Sequence, residues 1–240
     1  MRLTDFKALT FDCYGTLIDW ESGIMEGLKP LLEKVAHPLT RDQVLQAHAR
    51  HESTQQRHTP TKVYRDLLPI VYKRLAEEWG VVVSHEECVA YGLSVRNWPA
   101  FPDSQEALRY LKKHYKLVIL SNVDNETFSH SNKRLGVDFD AIITAEDVGA
   151  YKPSPLNFEC LTEVMAGIGI QKTEILHTAE SLFHDHKPAN AHGLHSCWIH
   201  RRHEKEGFGA TMHPGDLPKY DFYFTSMGAM AAAHMEQSKS

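Results

Sequence analysis

Residues 8–17 read ALTFDCYGTL, and this stretch decides the fold. Its first four residues form a short apolar run that is typical of a buried strand, and the run ends at Asp12. A turn at Gly15 and Thr16 follows directly. In an open parallel sheet, ligands bind beyond the carboxyl ends of the strands. The position of Asp12 therefore makes its carboxylate a candidate nucleophile.

A long helical segment follows this first strand. Apolar residues recur at helical spacing over Ile24–Val35, and a further helical stripe runs from Leu67 to Trp79. Residues 40–43 read TRDQ, which is typical of a helix start. The pattern therefore predicts only helices from about residue 20 to residue 95.

Strand-like apolar runs return after residue 100. Helical stretches separate the first four of them, and this alternation predicts an α/β fold with a doubly wound parallel sheet covered on both faces. We expect residues 1–18 and 100–240 to form this core and residues 19–99 to form an inserted helical domain. The later strands are predicted at Leu117–Leu120, Ala141–Thr144, residues 175–176, Cys197–Ile199 and Phe222–Phe224.

Two finer expectations concern the helices of this core. Asp103 and Glu106 predict a capping box at the start of a helix that carries Leu108 and Leu111. The tail after Met227 is rich in Ala, Met, His, Gln and Ser, and we expect it to fray.

The composition is that of an ordinary soluble domain. The chain has 240 residues, 42% of them hydrophobic, and a net charge of −5 gives no basic footprint for nucleic acid. No apolar run approaches the roughly 18 residues of a membrane helix, and the N-terminus does not look like a signal peptide. Four cysteines without paired spacing favour free thiols. We therefore expect a cytoplasmic protein without nucleic-acid or membrane partners.

Polar side chains follow four of the predicted strands. Asp12 ends the first run, Ser121 and Asn122 end the second, Lys152 follows the third, and residues 180–185 follow the fourth. Because the carboxyl ends of parallel strands meet at one edge, we expect these groups to converge on one crevice.

These motifs, taken in order, resemble those of the haloacid dehalogenase superfamily. The four are Asp12 with Gly15-Thr16, then Ser121-Asn122, then Lys152-Pro153, then the acidic pair Glu180 and Asp185, so the resemblance covers nearly the whole chain. The resemblance implies the core fold of that superfamily, with the helical insertion as its cap domain.

The first motif is similar to that of the type II (S)-2-haloacid dehalogenases. Phosphatases of the superfamily carry a second Asp two residues after the nucleophile, and Tyr14 stands there instead. An alkoxide leaving group needs a proton, whereas a halide is a very weak base and does not. Residues 197–201, CWIHR, also resemble the fifth strand of these enzymes.

The resemblance implies a hydrolase that removes halide from short 2-haloacids. In that family an Asp carboxylate displaces halide from C2 to form an ester, and water hydrolyses the ester to the 2-hydroxy acid of inverted configuration. Carried over residue by residue, Asp12 is the nucleophile and Lys152 keeps it ionised. Ser121 holds the substrate carboxylate, Thr16 belongs to the same polar cradle, and Asp185 positions the lysine or the hydrolytic water.

Three further residues are assigned to substrate binding by the same resemblance. Asn122 completes the polar cradle, and Tyr14 lines the pocket beside C2. Arg50 best matches the cap arginine that meets the halide or the carboxylate in these enzymes. Structural alternatives stay open: Arg50 as a surface residue, Lys152 as a solvated loop lysine, and Ser121-Asn122 as an ordinary helix start.

The fourth motif departs from the dehalogenase pattern. Those enzymes commonly carry Ser and Asn ahead of the Asp, whereas the positions aligned on Asp185 are Glu180 and Leu182 here. This form looks more like that of the phosphatases, and Asp12, Glu180 and Asp185 could hold Mg²⁺.

Three functions are therefore kept. The leading hypothesis is a dehalogenase without metal or other cofactor, and the alternative is a Mg²⁺-dependent phosphatase of a small phosphate ester. The third is a non-catalytic binding protein on this fold, since a fold alone does not give a function. The apolar stripe of the cap could also support a homodimer, as in the family that the chain resembles.

Overall fold

A single parallel sheet forms the centre of the computed structural model, which describes residues 1–239. The order of its six strands in this described part is β3-β2-β1-β4-β5-β6, so the chain winds outward from β1 in both directions. The predicted doubly wound α/β fold is confirmed. The strands are β1 (Ala8–Phe11), β2 (Lys116–Ser121), β3 (Ala141–Thr144), β4 (Ile175–Ala179), β5 (His195–Ile199) and β6 (Phe222–Phe224).

Helices occupy both the segment between β1 and β2 and the crossovers of the sheet. Before β2 lie α1 (Trp20–Leu32), α2 (Arg41–His58), α3 (Tyr64–Glu78), α4 (His85–Ser94) and α5 (Ser104–Leu111). After β2 lie α6 (Asn125–Leu135), α7 (Ala145–Val148), α8 (Pro155–Gly167), α9 (Lys187–Ala191) and α10 (Met227–Gln237). Short 3₁₀ turns lie at Leu3–Asp5, Val95–Asn97 and Lys172–Glu174, and a π-helical turn lies at Leu182–His186.

The register of the sheet brings the carboxyl ends of its central strands together. Phe11, the last residue of β1, pairs with Ile119 on one side and with Thr178 on the other. Because successive side chains of a strand point to opposite faces, Leu9 and Phe11 join one apolar cluster and Ala8 joins the other. All four residues of β1 are buried, as a central strand with both faces covered requires.

The chain leaves the sheet for α1 and returns from α4 at one place. Ile18 forms an antiparallel bridge with Ala100. The Asp19 amide donates to the Pro99 carbonyl (2.8 Å), and the Phe101 amide donates to the Leu17 carbonyl (3.0 Å). The outgoing and returning segments are therefore hydrogen-bonded to each other, and helices α1–α4 lie between them.

The prediction that the tail frays is wrong. Residues 227–237 form α10, whose start is capped by the Ser226 hydroxyl accepting from the Ala229 amide (3.0 Å). Met227, Met230 and His234 are buried, and the Tyr110 hydroxyl of α5 lies 3.0 Å from His234 Nδ1. The spacing of these residues places one face of α10 against the core. The Ala- and Met-rich composition of the segment does not show this face.

The capping box predicted at Asp103 is also wrong. Asp103 precedes α5, but its side chain makes no capping hydrogen bond. Its carboxylate instead accepts from Arg201 Nη1 (2.8 and 3.0 Å) and from the Gly228 amide (2.9 Å). Asp103 therefore forms a tertiary ion pair instead of a capping hydrogen bond, and it links the start of α5 to the loop after β5 and to α10.

Two further observations concern the chain as a whole. The four cysteines are free. Among residues 1–239, none of the helices combines the length and the apolar character that a membrane span requires.

Candidate active site

Asp12 lies at the carboxyl end of β1 and is 6% exposed. Its amide donates to the Thr178 carbonyl of β4 (3.2 Å), which extends the strand pairing by one residue. Gly15 has a φ of 98°, a conformation that favours glycine, and a Cβ there would lie 2.9 Å from Trp20. This turn brings the Thr16 hydroxyl back to donate to Asp12 Oδ2 (2.8 Å).

Lys152 is the cation of the site and is 1% exposed. Its Nζ donates to Asp12 Oδ1 (2.9 Å), to Asp185 Oδ1 (2.7 Å) and to the Leu120 carbonyl (2.8 Å). Burial opposes the charged form, but the two carboxylates raise the pKa of Lys152 above its ordinary value. Burial raises the pKa of Asp12, and Lys152 works against that rise. Direct contact with Lys152, rather than solvent, is therefore what favours the charged form of Asp12.

Asp185 is fully buried and is fixed from two sides. His177 Nε2 donates to Asp185 Oδ1 (3.0 Å), while His177 Nδ1 lies 2.9 Å from the Thr10 hydroxyl. Burial alone would raise the pKa of Asp185, but Lys152 and His177 hold it well below its usual range. The orienting role of His177 escaped the sequence pattern, although a histidine inside an otherwise apolar strand is a usable signal.

Asn122 holds the backbone of Lys152. The Lys152 amide donates to Asn122 Oδ1 (2.6 Å), and Asn122 Nδ2 donates to the Lys152 carbonyl (3.0 Å). Both ends of the amide side chain are therefore engaged in placing the lysine. Ser121 is fully buried, and its Oγ has no hydrogen-bond partner within residues 1–239. Ser121 does not line the cavity that Asp12 faces.

Tyr14 takes the position two residues after Asp12. Its hydroxyl lies 2.7 Å from the Ser131 hydroxyl, and its ring packs edge-on against Trp98 at 5.9 Å between centroids. Burial raises the pKa of Tyr14 well above its ordinary value. The phenol is therefore a held, neutral group rather than a ready proton donor.

These side chains surround a narrow cavity of about 30 Å³. The segments that follow the strands contribute Asp12, Tyr14, Asn122, Lys152 and Asp185. Helices α2 and α3 cover the cavity with Glu52, Gln56 and Tyr64. Trp20, Val123, Ser181 and His184 complete the wall. A wider groove of about 560 Å³ lies between α1 and α4, but Asp12 and Lys152 do not reach it.

Arg50 is not brought to this cavity. It lies on α2 with a side chain 53% exposed, and its Nη2 donates to both carboxylate oxygens of Glu78 (2.7 Å). The buried face of α2 instead carries Val44, His48 and Glu52 at intervals of four residues. This periodicity, applied to α2, indicates Glu52 and excludes Arg50, so the substrate-binding role expected for Arg50 has no support from its position.

The three carboxylates of the metal hypothesis are also not gathered. Glu180 lines a separate cavity with Arg41, Arg201 and Arg202, and burial raises its pKa to about 8. Asp12 and Asp185 both face Lys152, so a cation already occupies the space between them. Within residues 1–239, no group of three or more His, Cys, Asp or Glu side chains is arranged to hold a metal ion. Glu180, Asp12 and Asp185 are therefore not placed to hold one Mg²⁺ ion together.

Residues 6–178 match the sequence model of a family described as haloacid dehalogenase-like hydrolase. The chain belongs to this family. The superfamily and the hydrolase class expected from the four motifs are thereby confirmed.

One curated relative is haloacetate dehalogenase H-2 of Moraxella sp. (strain B). It is 36% identical over 104 residues, which are 42% of this chain and 45% of the relative. The match therefore spans less than half the length of the curated relative.

Solved structures agree on the fold. An L-2-haloacid dehalogenase of Xanthobacter autotrophicus with chloropropionic acid covalently bound has a TM-score of 0.72 at 18% identity, covering 95% of this chain and 97% of its own. The putative hydrolase YfnB of Bacillus subtilis, bound to magnesium, has a TM-score of 0.73 at 19% identity, covering 98% and 100%. At these identities the likeness concerns the fold alone.

Proposed function

We propose that the protein is a hydrolytic dehalogenase of short 2-haloacids that works through an ester of Asp12. The observation that carries the proposal is the Asp12–Lys152 contact at a cavity in which no carboxyl group follows Asp12 two residues along the chain. Tyr14 stands there, with its hydroxyl held by Ser131. Such a site suits a leaving group that departs without a proton.

The first step is a displacement at carbon. An Asp12 carboxylate oxygen forms a bond to C2 of the substrate while the carbon–halogen bond breaks, and the halide leaves with the bonding pair. Lys152 and Thr16 hold the carboxylate in one orientation, since one donates to each oxygen. A fixed attacking group lowers the entropic part of the barrier.

The second step is hydrolysis of the ester. Water attacks the Asp12 carbonyl carbon, the bond between that carbon and the substrate oxygen breaks, and the 2-hydroxy acid leaves with inverted configuration. The step restores the Asp12 carboxylate beside Lys152, and no metal ion takes part. Glu180 lines a different cavity from Asp12, which disfavours the Mg²⁺-dependent phosphatase.

The size of the cavity supports a small substrate. Twelve residues line this narrow cavity, which favours a short haloacid over a bulky one. The resemblance to a haloacetate dehalogenase over 104 residues points the same way. We further propose that residues 19–99 serve as the cap, because α2 and α3 supply the roof of this cavity.

The direct test is halide release without added metal. Purified protein treated with EDTA should release halide from a haloacetate or from (S)-2-chloropropionate, because the positive charge beside Asp12 is the Lys152 ammonium and not a metal ion. Ion chromatography measures the halide, and a panel of phosphate esters with Mg²⁺ runs beside it. EDTA-sensitive phosphate release with no halide from any haloacid would favour the phosphatase, and neither activity would favour a binding protein.

Replacing Tyr14 by Phe should separate packing from chemistry. The change leaves the buried Ser131 hydroxyl without its partner and should lower the free energy of unfolding by about 1–3 kcal/mol. Halide release should stay within about threefold of wild type, because no proton transfer is lost. Denaturant unfolding and steady-state kinetics measure the two effects, and Ser131→Ala is the matched control. A loss of about 100-fold in turnover would give the phenol a chemical role.

A further inference from the structure

Glu52 is a buried carboxyl group that faces Asp12 from the helical side of the cavity. It lies on α2, is 5% exposed, and lines the same cavity as Asp12, Lys152 and Asp185. The sequence motifs do not account for it, since all four lie at strand ends or in segments that follow strands of the sheet. The roof of the cavity therefore brings an ionisable group of its own to the reacting centre.

The neighbours of Glu52 on α2 are polar but carry no positive charge. Gln56 Nε2 donates to Glu52 Oε1 (3.3 Å), and His48 Nδ1 lies 3.7 Å from Oε2. Burial lowers the pKa of His48 to about 3, so this imidazole stays neutral. The charged or titratable groups that face Glu52 from other elements are Tyr64 of α3, Tyr91 of α4, Tyr151 before Lys152, and Asp12, Lys152, His184 and Asp185 across the cavity.

This environment gives Glu52 an affinity for protons suited to neutral pH. Burial raises the pKa of Glu52 to about 7, and a hydrogen bond with Tyr64 partly opposes the rise. A general base works best when its pKa lies near the working pH. The cavity between Glu52 and Asp12, at about 30 Å³, has room for a water molecule.

We propose that Glu52 is the general base and acid of the second step, in which the Asp12 ester is hydrolysed. This inference rests on the dehalogenase function proposed above and adds a catalytic residue to it. Glu52 takes a proton from the water that attacks the carbonyl carbon of the ester. It then returns that proton to the oxygen of the departing 2-hydroxy acid as the carbon–oxygen bond breaks.

The protons balance over one turnover. Hydroxide adds to the carbonyl carbon while Glu52 becomes a carboxylic acid, and the leaving alkoxide takes that proton. Asp12 is left as a carboxylic acid, which loses its proton to solvent beside the Lys152 ammonium. One halide, one 2-hydroxy acid and one proton therefore leave for each water consumed.

The other groups of the cavity are poorer bases. The pKa of Asp185 is held well below its usual range, and its Oδ1 already accepts from Lys152 and His177. The pKa of Lys152 is raised, so it stays protonated and has no lone pair to offer. Burial lowers the pKa of His184 to about 4, and its Nδ1 lies 3.1 Å from the Ser181 hydroxyl.

The experiment is a rapid-quench comparison of wild type and Glu52→Gln with bromoacetate. We expect the variant to release one halide per enzyme in a burst, because the first step needs no proton, and then to turn over about 10²–10³-fold more slowly than wild type. Intact-mass and peptide spectra should show the carboxymethyl ester accumulating on Asp12 in the variant. Glu78→Gln, an exposed carboxylate on α3, is the matched control and should behave as wild type.

The pH dependence of the wild type gives a second measurement that needs no variant. The carboxylate form of Glu52 is the base, so decay of the ester should speed up as pH rises through about 7 and then level off. The carboxylate of the carboxymethyl group bound to Asp12 raises the pKa of Glu52 and so moves that midpoint upward. Wild type quenched near pH 5 should therefore carry the ester on Asp12, even if Glu52→Gln fails to fold.

The outcomes distinguish the two proposals. If the wild type releases no halide, the dehalogenase function is wrong. If the wild type turns over but carries no ester near pH 5, the role of Glu52 is wrong and the function stands. A folded Glu52→Gln variant with wild-type turnover, or one that is slow without accumulating ester, also overturns the role of Glu52.

Discussion

Replacement of Asp12 by Asn is expected to abolish halide release and to leave the fold intact. An amide nitrogen or oxygen does not displace halide from C2, so turnover should fall by at least about 10⁴-fold. The amide oxygen can still accept from Lys152, and the Thr16 hydroxyl can turn to accept from the amide nitrogen, which keeps the packing of β1. Ion chromatography of halide measures the loss, and circular dichroism checks the fold.

The control and the label make this result specific to the covalent route. Asp138→Asn, at an exposed carboxylate of the loop before β3, should keep full activity. A single wild-type turnover in ¹⁸O water should place one ¹⁸O in Asp12, because water attacks the ester carbonyl. Label found in the 2-hydroxy acid instead would show that water attacks the substrate directly and that no ester forms. Near-wild-type activity of Asp12→Asn, after deamidation is excluded by mass spectrometry, would lead to the same conclusion.

Replacement of Lys152 by Met is expected to have the second largest effect. Removing the ammonium leaves Asp12 and Asp185 as neighbouring buried carboxylates, so the pKa of Asp12 should rise further and less of it should be ionised at neutral pH. We expect turnover to fall by roughly 10³-fold, the equivalent of about 4 kcal/mol. The acid limb of the pH–rate profile should move to higher pH, with partial recovery of the rate in alkali.

A matched substitution shows whether the loss comes from the site. Lys73→Met removes an exposed lysine of α3 whose side chain is 68% accessible, and it should change neither rate nor pH profile. The melting temperature of Lys152→Met should also fall, since a buried ion pair has lost one partner. If Lys152→Met kept the rate and the pH profile of wild type, Lys152 would have no part in the reaction.

The sheet follows from the sequence because its strands are short apolar runs with polar residues at their ends. A central strand such as β1 is buried on both faces, so its four apolar or small residues are visible without any tertiary information. The fate of α10 is less visible. Its alanines and methionines are weak signals, and only the spacing of Met227, Met230 and His234 shows that one side is buried.

The sheet side of the candidate site follows from the sequence for a similar reason. Asp12, Lys152 and Asp185 each follow a predicted strand, and the parallel topology brings such ends together. Asn122 also comes to this edge, but its side chain serves the Lys152 backbone, a contact that a residue pattern does not specify.

The roof of the cavity depends on how α2 packs, and this was not predicted. Arg50 is expected at the substrate because its place in the sequence best matches the cap arginine of the enzymes that the chain resembles. Its position on α2 places it among solvent-facing groups, where Glu78 is its partner. Glu52, two residues along, lies on the buried face. A choice between neighbouring residues of one helix is therefore a question of helical phase, which residue type alone does not answer.

The hydrogen bonds between Leu17–Asp19 and Pro99–Phe101 lower the entropic cost of forming the sheet. β1 pairs with β2 across more than a hundred positions, since Ala8 lies opposite Lys116. The entropic cost of closing a loop grows with its length, and such long-range contacts slow folding. Once α1–α4 have folded, however, the Asp19–Pro99 and Phe101–Leu17 hydrogen bonds hold their two ends together. Pairing β1 with β2 then closes a loop of about twenty-five residues rather than a hundred. The folded helical segment therefore lowers the entropic cost of bringing β1 and β2 together, although it separates them in sequence.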